Sequence, residues 1–193
     1  DLGKMDYIFI TLKAYSIPGL VNEISTMFKE STAVITAYNG IPWWYFFNIE
    51  GPFKNYRIKC IDPNNIQWDT ITPERIIGCV VYPATEIIQP GVIKHLEGNR
   101  FSLGEPSGIQ SERVSIISKA LVRANLKAPI RNNIRQEIWM KLIGNLAFNP
   151  LSVITGETLD VLLSKEENKK IAYAAMQEAS LIMNKLNIPL NIS

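Results

Sequence analysis

One histidine and two cysteines in 193 residues limit the chemistry open to this chain. His95 alone makes neither a His-based metal site nor a catalytic pair, and its alternating context, VIKHLEG, reads as a strand surface. Cys60 and Cys79 match no metal-ligand spacing and read as reduced thiols of a cytosolic protein. The sequence has no H-E-x-x-H, no Ser-His-Asp set and no carboxylate pair, so nothing supports hydrolytic or metal chemistry. No apolar run approaches the roughly 18 residues of a membrane span, and no secretory signal is visible. The net charge is only +2, with Lys and Arg spread along the chain, so no basic tract is dense enough for nucleic acid or a membrane surface. A G-x-G-x-x-G is missing too, since the glycines at 98, 104 and 108 have the wrong spacing and context. The chain opens at Asp1 with an interior-type strand almost at once, so it reads as a piece of something longer, with any phosphate-cradling loop upstream.

What remains is an ordinary globular composition, 47% hydrophobic and 20% charged. Residues 7 to 13, YIFITLK, suit a strand buried on both faces, as in a parallel sheet. The stretch IPGLVNEISTMFKE has apolar residues at 17, 20, 21, 24, 27 and 28, which predicts a helix with Pro18 near its first turn. AVITAYNG, 33 to 40, is a second buried-type strand, so the three make a βαβ unit. The aromatic IPWWYFF reads as a helix start packed on the sheet edge, and 50 to 73 as an irregular connection. RIIGCVVYPATEI, GVIKHLEG and RFSLGEP look like three strands, the last two a hairpin across Gly98-Asn99. SERVSIISKALVRANL is an amphipathic helix, and KAPIR a short extended piece. From Asn132 the pattern is helical, with candidates at 132 to 149, 151 to 163 and 166 to 187, and a capping box from Ser164 to Glu167. The expected architecture is therefore α/β over residues 1–131 and all-α over 132–193.

Three places carry candidate chemistry. In an open parallel sheet, ligands bind outside the carboxyl ends of the strands. Lys13 ends the first predicted strand and Asn39 the second, although a solvated lysine and Asn-Gly turn chemistry would also account for them. The third place is EIWMKLIGNLAFNP, where Lys141, Asn145 and Asn149 interrupt an otherwise apolar run. Residues at i, i+4 and i+8 drift only about 80° around a helix, so the three form a polar stripe on a largely buried helix. A lysine against apolar walls becomes a usable proton donor near neutral pH, and asparagines one and two turns on can orient a carboxylate or hydroxyl. The plainer alternative has Lys141 reaching to solvent and the asparagines capping neighbouring helices. Pro150 should break or kink the helix where it stands.

These motifs resemble a known family. ITLKAY, YNGIPWWYF, GCVVYPATEIIQPGVIKHLEGNRFSLGEP and NIRQEIWMKLIGNLAFNPLS together are similar to ketopantoate reductases (2-dehydropantoate 2-reductases), from about Tyr7 to Ala179. The K-x-x-x-N-x-x-x-N helix after N-I-R-x-E-I-W is the most specific part. The resemblance implies the second half of a Rossmann-type dinucleotide-binding domain, followed by the start of a helical substrate domain. It also implies a cytoplasmic oxidoreductase of pantothenate biosynthesis that reduces a 2-oxo acid, ketopantoate or a close relative, with NADP as cofactor and NAD left open. By this likeness Lys141 is the general acid, and Asn145 and Asn149 bind the substrate. Asn39 touches both substrate and cofactor, Lys13 contacts the cofactor, and Ala84 lines the cofactor pocket through its backbone. The partner is then a small 2-oxo acid, not nucleic acid or membrane, and a homo-oligomer is left open. The sequence departs from the family in having no first strand with its Gly-rich loop and no last helices. SVITGETLD also lacks a clear match for a further family asparagine. The rival readings are another 3-hydroxyacid dehydrogenase-like reductase and a non-catalytic binding protein derived from the fold. The four-residue step from Lys141 to Asn145 favours the first reading over the other reductase, and the joint presence of Lys141, Asn145, Asn149 and Asn39 favours it over the binding protein.

Overall fold

The structure is a computed structural model that describes residues 2–188. The chain divides into two compact units, Asp1–Ile134 and Arg135–Ser193. The first is α/β and the second all-helical, as the sequence predicts.

The first unit holds a four-stranded sheet in the order β1-β2-β3-β6. Strand β1 is Met5–Ile10, β2 is Phe28–Thr36, β3 is Ile76–Val81 and β6 is Phe101–Gly104. The first three run parallel, and β6 is antiparallel to β3. Ala33, Ile35, Ile77, Cys79 and Leu103 pack on one face against Val114 and Ile117 of α3, Glu112–Arg123. Ser111 caps α3 by accepting from the Val114 N–H at 3.2 Å. An ion pair between the half-buried Arg113 and the buried Glu105 ties this helix down. Arg113 donates from Nε and Nη2 to the two oxygens of Glu105, at 2.7 and 2.6 Å, while Nη1 donates to the Glu74 carbonyl and Nη2 also to that of Ile76. The Glu105 bonds push the Arg113 guanidinium above its usual range. The KAPIR segment runs extended beside β6, bridging at Arg100–Lys127 and Leu103–Ile130.

Several expectations change. Strand β1 stops at Ile10, not at residue 13, and it is an edge strand whose burial alternates, with Phe9 exposed. The predicted helix over 17 to 28 is one short 3₁₀ turn, Pro18–Leu20, followed by α1, Val21–Ser25. The Ser25 and Thr26 hydroxyls donate back to the carbonyls of Asn22 and Glu23 as α1 ends, and the chain then joins β2. IPWWYFF is a run of turns, not a helix start. The expected connection 50 to 73 contains one short helix, α2, Ile66–Thr70. The hairpin is formed by β4, Ala84–Gln89, and β5, Val92–Glu97, so it closes at Pro90-Gly91 and not at Gly98-Asn99. Gly91 has a φ of +79°, a conformation glycine adopts at no steric cost, whereas β6 returns to the main sheet.

In the second unit α4, Ile134–Thr155, passes through Pro150 without ending there. Next come α5, Leu159–Ser164, and α6, Glu166–Lys185. Ala147 and Leu151 of α4 are buried with Leu162 and Ala172, and that packing outweighs the hydrogen bond the proline removes. The expected capping box is absent. Lys165 occupies the N-cap of α6, and the Ser164 hydroxyl donates to Val161 at the end of α5.

Candidate functional site

The carboxyl edge of the parallel strands gathers three of the predicted residues. Ile10 of β1, Thr36 of β2 and Gly78 of β3 are register partners near that edge. Lys13 and Asn39 each lie three residues beyond the β1 and β2 members of this row, and Ala84 six beyond Gly78. Lys13 is exposed and precedes a 3₁₀ turn, in which its carbonyl accepts from the Ser16 N–H at 2.9 Å. Asn39 is exposed, and Gly40 after it has a φ of +94°, so the glycine supplies the left-handed turn. Ala84 is half-buried as the first residue of β4. Its root is tight, because a Cβ on Gly98 would come within 2.9 Å of the Tyr82 carbonyl oxygen.

On α4, Lys141, Asn145 and Asn149 follow one another at four-residue steps of an unbroken helix. Lys141 and Asn145 are half-buried and Asn149 is exposed. Ile138, Trp139, Ile143, Ala147 and Leu151 on the same helix are buried. The helix is less buried than predicted, since Met140 and Leu146 are exposed. Lys13, Asn39 and Ala84 thus each follow the carboxyl end of a parallel strand of the first unit, Ala84 as the start of the separate β4–β5 hairpin, and Lys141, Asn145 and Asn149 share one face of a helix that runs into the second.

Pattern reading missed the groups around the Asn39 turn. The Trp44 indole N–H donates to the Thr36 hydroxyl at 3.0 Å, and both are buried. Burial, then the nearby Asp62 carboxylate, push the Tyr38 phenol well above its usual range. Asp62 is buried and accepts from the Gln67 and Trp68 backbone N–H groups, each at 2.9 Å, where α2 begins. Trp43 packs edge-on against Trp68, with ring centroids 6.0 Å apart. The sequence signal was there in WWYFF, but not which ring turns toward the sheet.

Among the described residues no group of His, Cys, Asp and Glu could hold a metal ion, and no helix is long and apolar enough to cross a membrane. Parallel strands, polar residues beyond their carboxyl ends and a following helical unit define the class of Rossmann-type dinucleotide-binding folds with an appended helical domain. Sequence comparison gives the family. The ketopantoate reductase PanE/ApbA profile matches residues 1–108, and its C-terminal counterpart matches residues 133–193. This chain belongs to the ketopantoate reductase family. It is 46% identical over 188 residues to a 2-dehydropantoate 2-reductase of Mesorhizobium japonicum, covering 97% of this chain and 58% of that protein. A crystal structure of a candidate ketopantoate reductase from Ralstonia solanacearum MolK2 superposes with a TM-score of 0.94 at 34% identity. That match covers 99% of this chain and 59% of the other. D-mandelate dehydrogenase in complex with NADH shares the fold, at a TM-score of 0.79 and 18% identity, over 97% of this chain and 56% of the other. The chain therefore spans somewhat over half the length of the relatives it matches.

Proposed function

We propose that this protein reduces a 2-oxo acid, ketopantoate or a close relative, to the 2-hydroxy acid with NADPH. The observation that carries the reading is the Lys141-Asn145-Asn149 stripe on an unbroken helix, in a chain of this family. When bound, the nicotinamide supplies a hydride to the carbonyl carbon. Lys141 donates the proton that the carbonyl oxygen takes up, and its charge opposes the negative charge building there. Asn145 and Asn149, one and two turns along the same face, hold the carboxylate and the polar end of the substrate. Asn39 holds both substrate and cofactor. The cofactor fits the residues at the sheet edge. The exposed Lys13 ammonium suits an anionic dinucleotide, and the Ala84 backbone can line its pocket. NADP is the cofactor we assign, and parallel titrations with NADPH and NADH test the choice.

The decisive experiment is Lys141→Ala in the full-length enzyme. Loss of the general acid should lower kcat by about 1,000-fold or more, while NADPH affinity stays within a few-fold of wild type. Because the lysine must be protonated to act, wild-type activity should fall on the alkaline side, and that limb should vanish in the variant. A variant that keeps more than about a tenth of wild-type kcat, with its alkaline limb intact, would return the stripe to a structural role.

A further inference from the structure

Asn39 is asked to hold two ligands, yet it sits on an exposed turn. A row of partners crosses the sheet just before that turn: Ile10, Thr36, Gly78 and Gly104, one from each strand. Leaving β2 at Thr36, the chain passes through Asn39 and Gly40 and comes back over this same row. Trp44 is 1% exposed, and its Nε1 donates to the Thr36 Oγ1 at 3.0 Å. Its ring lies on Gly78, where a Cβ would meet Trp44 Cη2 at 2.8 Å and Cζ2 at 3.0 Å. Ile134 fills the rest of the notch, 2.8 Å from the same Cβ position and 2.9 Å from that of Gly104. Two registered glycines thus make room for one indole and one isoleucine. The segment bearing Asn39 is pinned at both ends by one hydrogen bond between the residue where it leaves the sheet and the residue where it returns.

We propose that Trp44, Thr36 and Gly78 form a clasp that positions the Asn39 side chain, so that Trp44 and Thr36 are positioning residues of the reaction. This rests on the role given to Asn39 above. Neighbouring aromatics point elsewhere: Trp43 packs on Trp68, while Tyr45 and Phe46 pack on each other. Trp44 bonds the last residue of β2. A donor in the indole and an acceptor in the threonine define the turn's closure, and a glycine at 78 is the only residue that lets the ring come this near the strand.

The test compares Trp44→Phe, Thr36→Val, Thr36→Ser, their Trp44→Phe/Thr36→Val double and Asn39→Ala in the full-length enzyme. Ketopantoate and NADPH are the probes. Misplacing a binding group by a fraction of an ångström should lower kcat/KM for ketopantoate by about tenfold in Trp44→Phe and Thr36→Val. The double variant should be no worse than the poorer single, because both remove the same bond. Thr36→Ser keeps the acceptor and should recover most of the activity. NADPH fluorescence titration should weaken by a few-fold, and the alkaline limb assigned to Lys141 should stay. Gly78→Ala, which displaces the ring, should give the same kinetic signature. Wild-type kinetics in both single variants, with Asn39→Ala impaired, would overturn the clasp while leaving the role of Asn39 standing. Unimpaired Asn39→Ala would overturn the role of Asn39, and the clasp with it. Loss of activity that follows only loss of folded protein by circular dichroism, with Thr36→Ser no better than Thr36→Val, would reduce the clasp to packing.

Discussion

Lys13 stood out in the sequence because a cation follows a run of β-branched and aromatic residues, and in the structure it lies exposed beyond β1. One exposed cation is worth about as much as one surface ion pair, so Lys13→Ala should weaken NADPH binding about fivefold or less and leave kcat nearly unchanged. Fluorescence titration against steady-state kinetics separates the two, and unchanged affinity with lost turnover would mean its role is misassigned. Tyr38 gives a pH prediction of opposite origin. Its phenol is held above the ordinary value of 10.0 by burial and then by Asp62. The folded state therefore keeps this proton after the unfolded chain has lost it. The resulting stability is fully present below pH 10 and is lost as pH rises toward the folded value. Thermal unfolding between pH 9 and 11 should fall less steeply in Tyr38→Phe than in wild type, and parallel slopes would refute this contribution. Asn39 and Lys141 were legible for the same reason as Lys13: a polar side chain interrupts an apolar pattern. Tyr38, Asp62 and Trp44 were not, because their roles depend on partners that only folding brings near.

Among the elements, α4 departs most from local rules. Pro150 lacks the N–H that would bond the Leu146 carbonyl, and its ring crowds that group. The helix survives because Ala147 and Leu151 are buried on the neighbouring face, while Leu146 and Pro150 are exposed to water, which can take the freed carbonyl. Pro150→Ala should then stabilise the protein by about 1–3 kcal/mol, less than the full interior cost of proline because the unfolded chain also gains freedom. Urea unfolding would show it as a higher midpoint at unchanged slope, and a lower midpoint would mean that the ring makes packing contacts worth more than the missing bond. The strands taught a related lesson. RIIGCVVYPATEI, expected as one strand, is two, β3 and β4, parted at Tyr82-Pro83, and alternation located β5 and β6 but not their pairing. GVIKHLEG could close on either neighbour, and β6 chose β3 because Leu103 and Gly104 bury against the main sheet. The helix expected over 17 to 28 failed for the converse reason: Phe28 was needed opposite Met5 in the sheet.

For the whole molecule, surface composition makes its own prediction. Ile87 and Ile93 on the β4–β5 hairpin, and Val153 and Ile154 at the end of α4, are each at least 68% exposed. A polypeptide of residues 1–193 should therefore self-associate as its concentration rises, which sedimentation velocity would detect, whereas a single monomer boundary at high concentration would contradict it. The sequence by itself determined the class of the protein. Period-2 and period-3.6 patterns place the strands and helices, and the change between them near residue 131 separates α/β from all-α. It also carried the family and the polar stripe, since both are written in residue type at fixed spacing along one chain. Tertiary structure alone decided which strands pair, where α4 ends, and that Trp44 comes back to bond Thr36 and lie on Gly78. Those are contacts between segments far apart in sequence, and their energies come from packing and hydrogen bonds that no local pattern encodes.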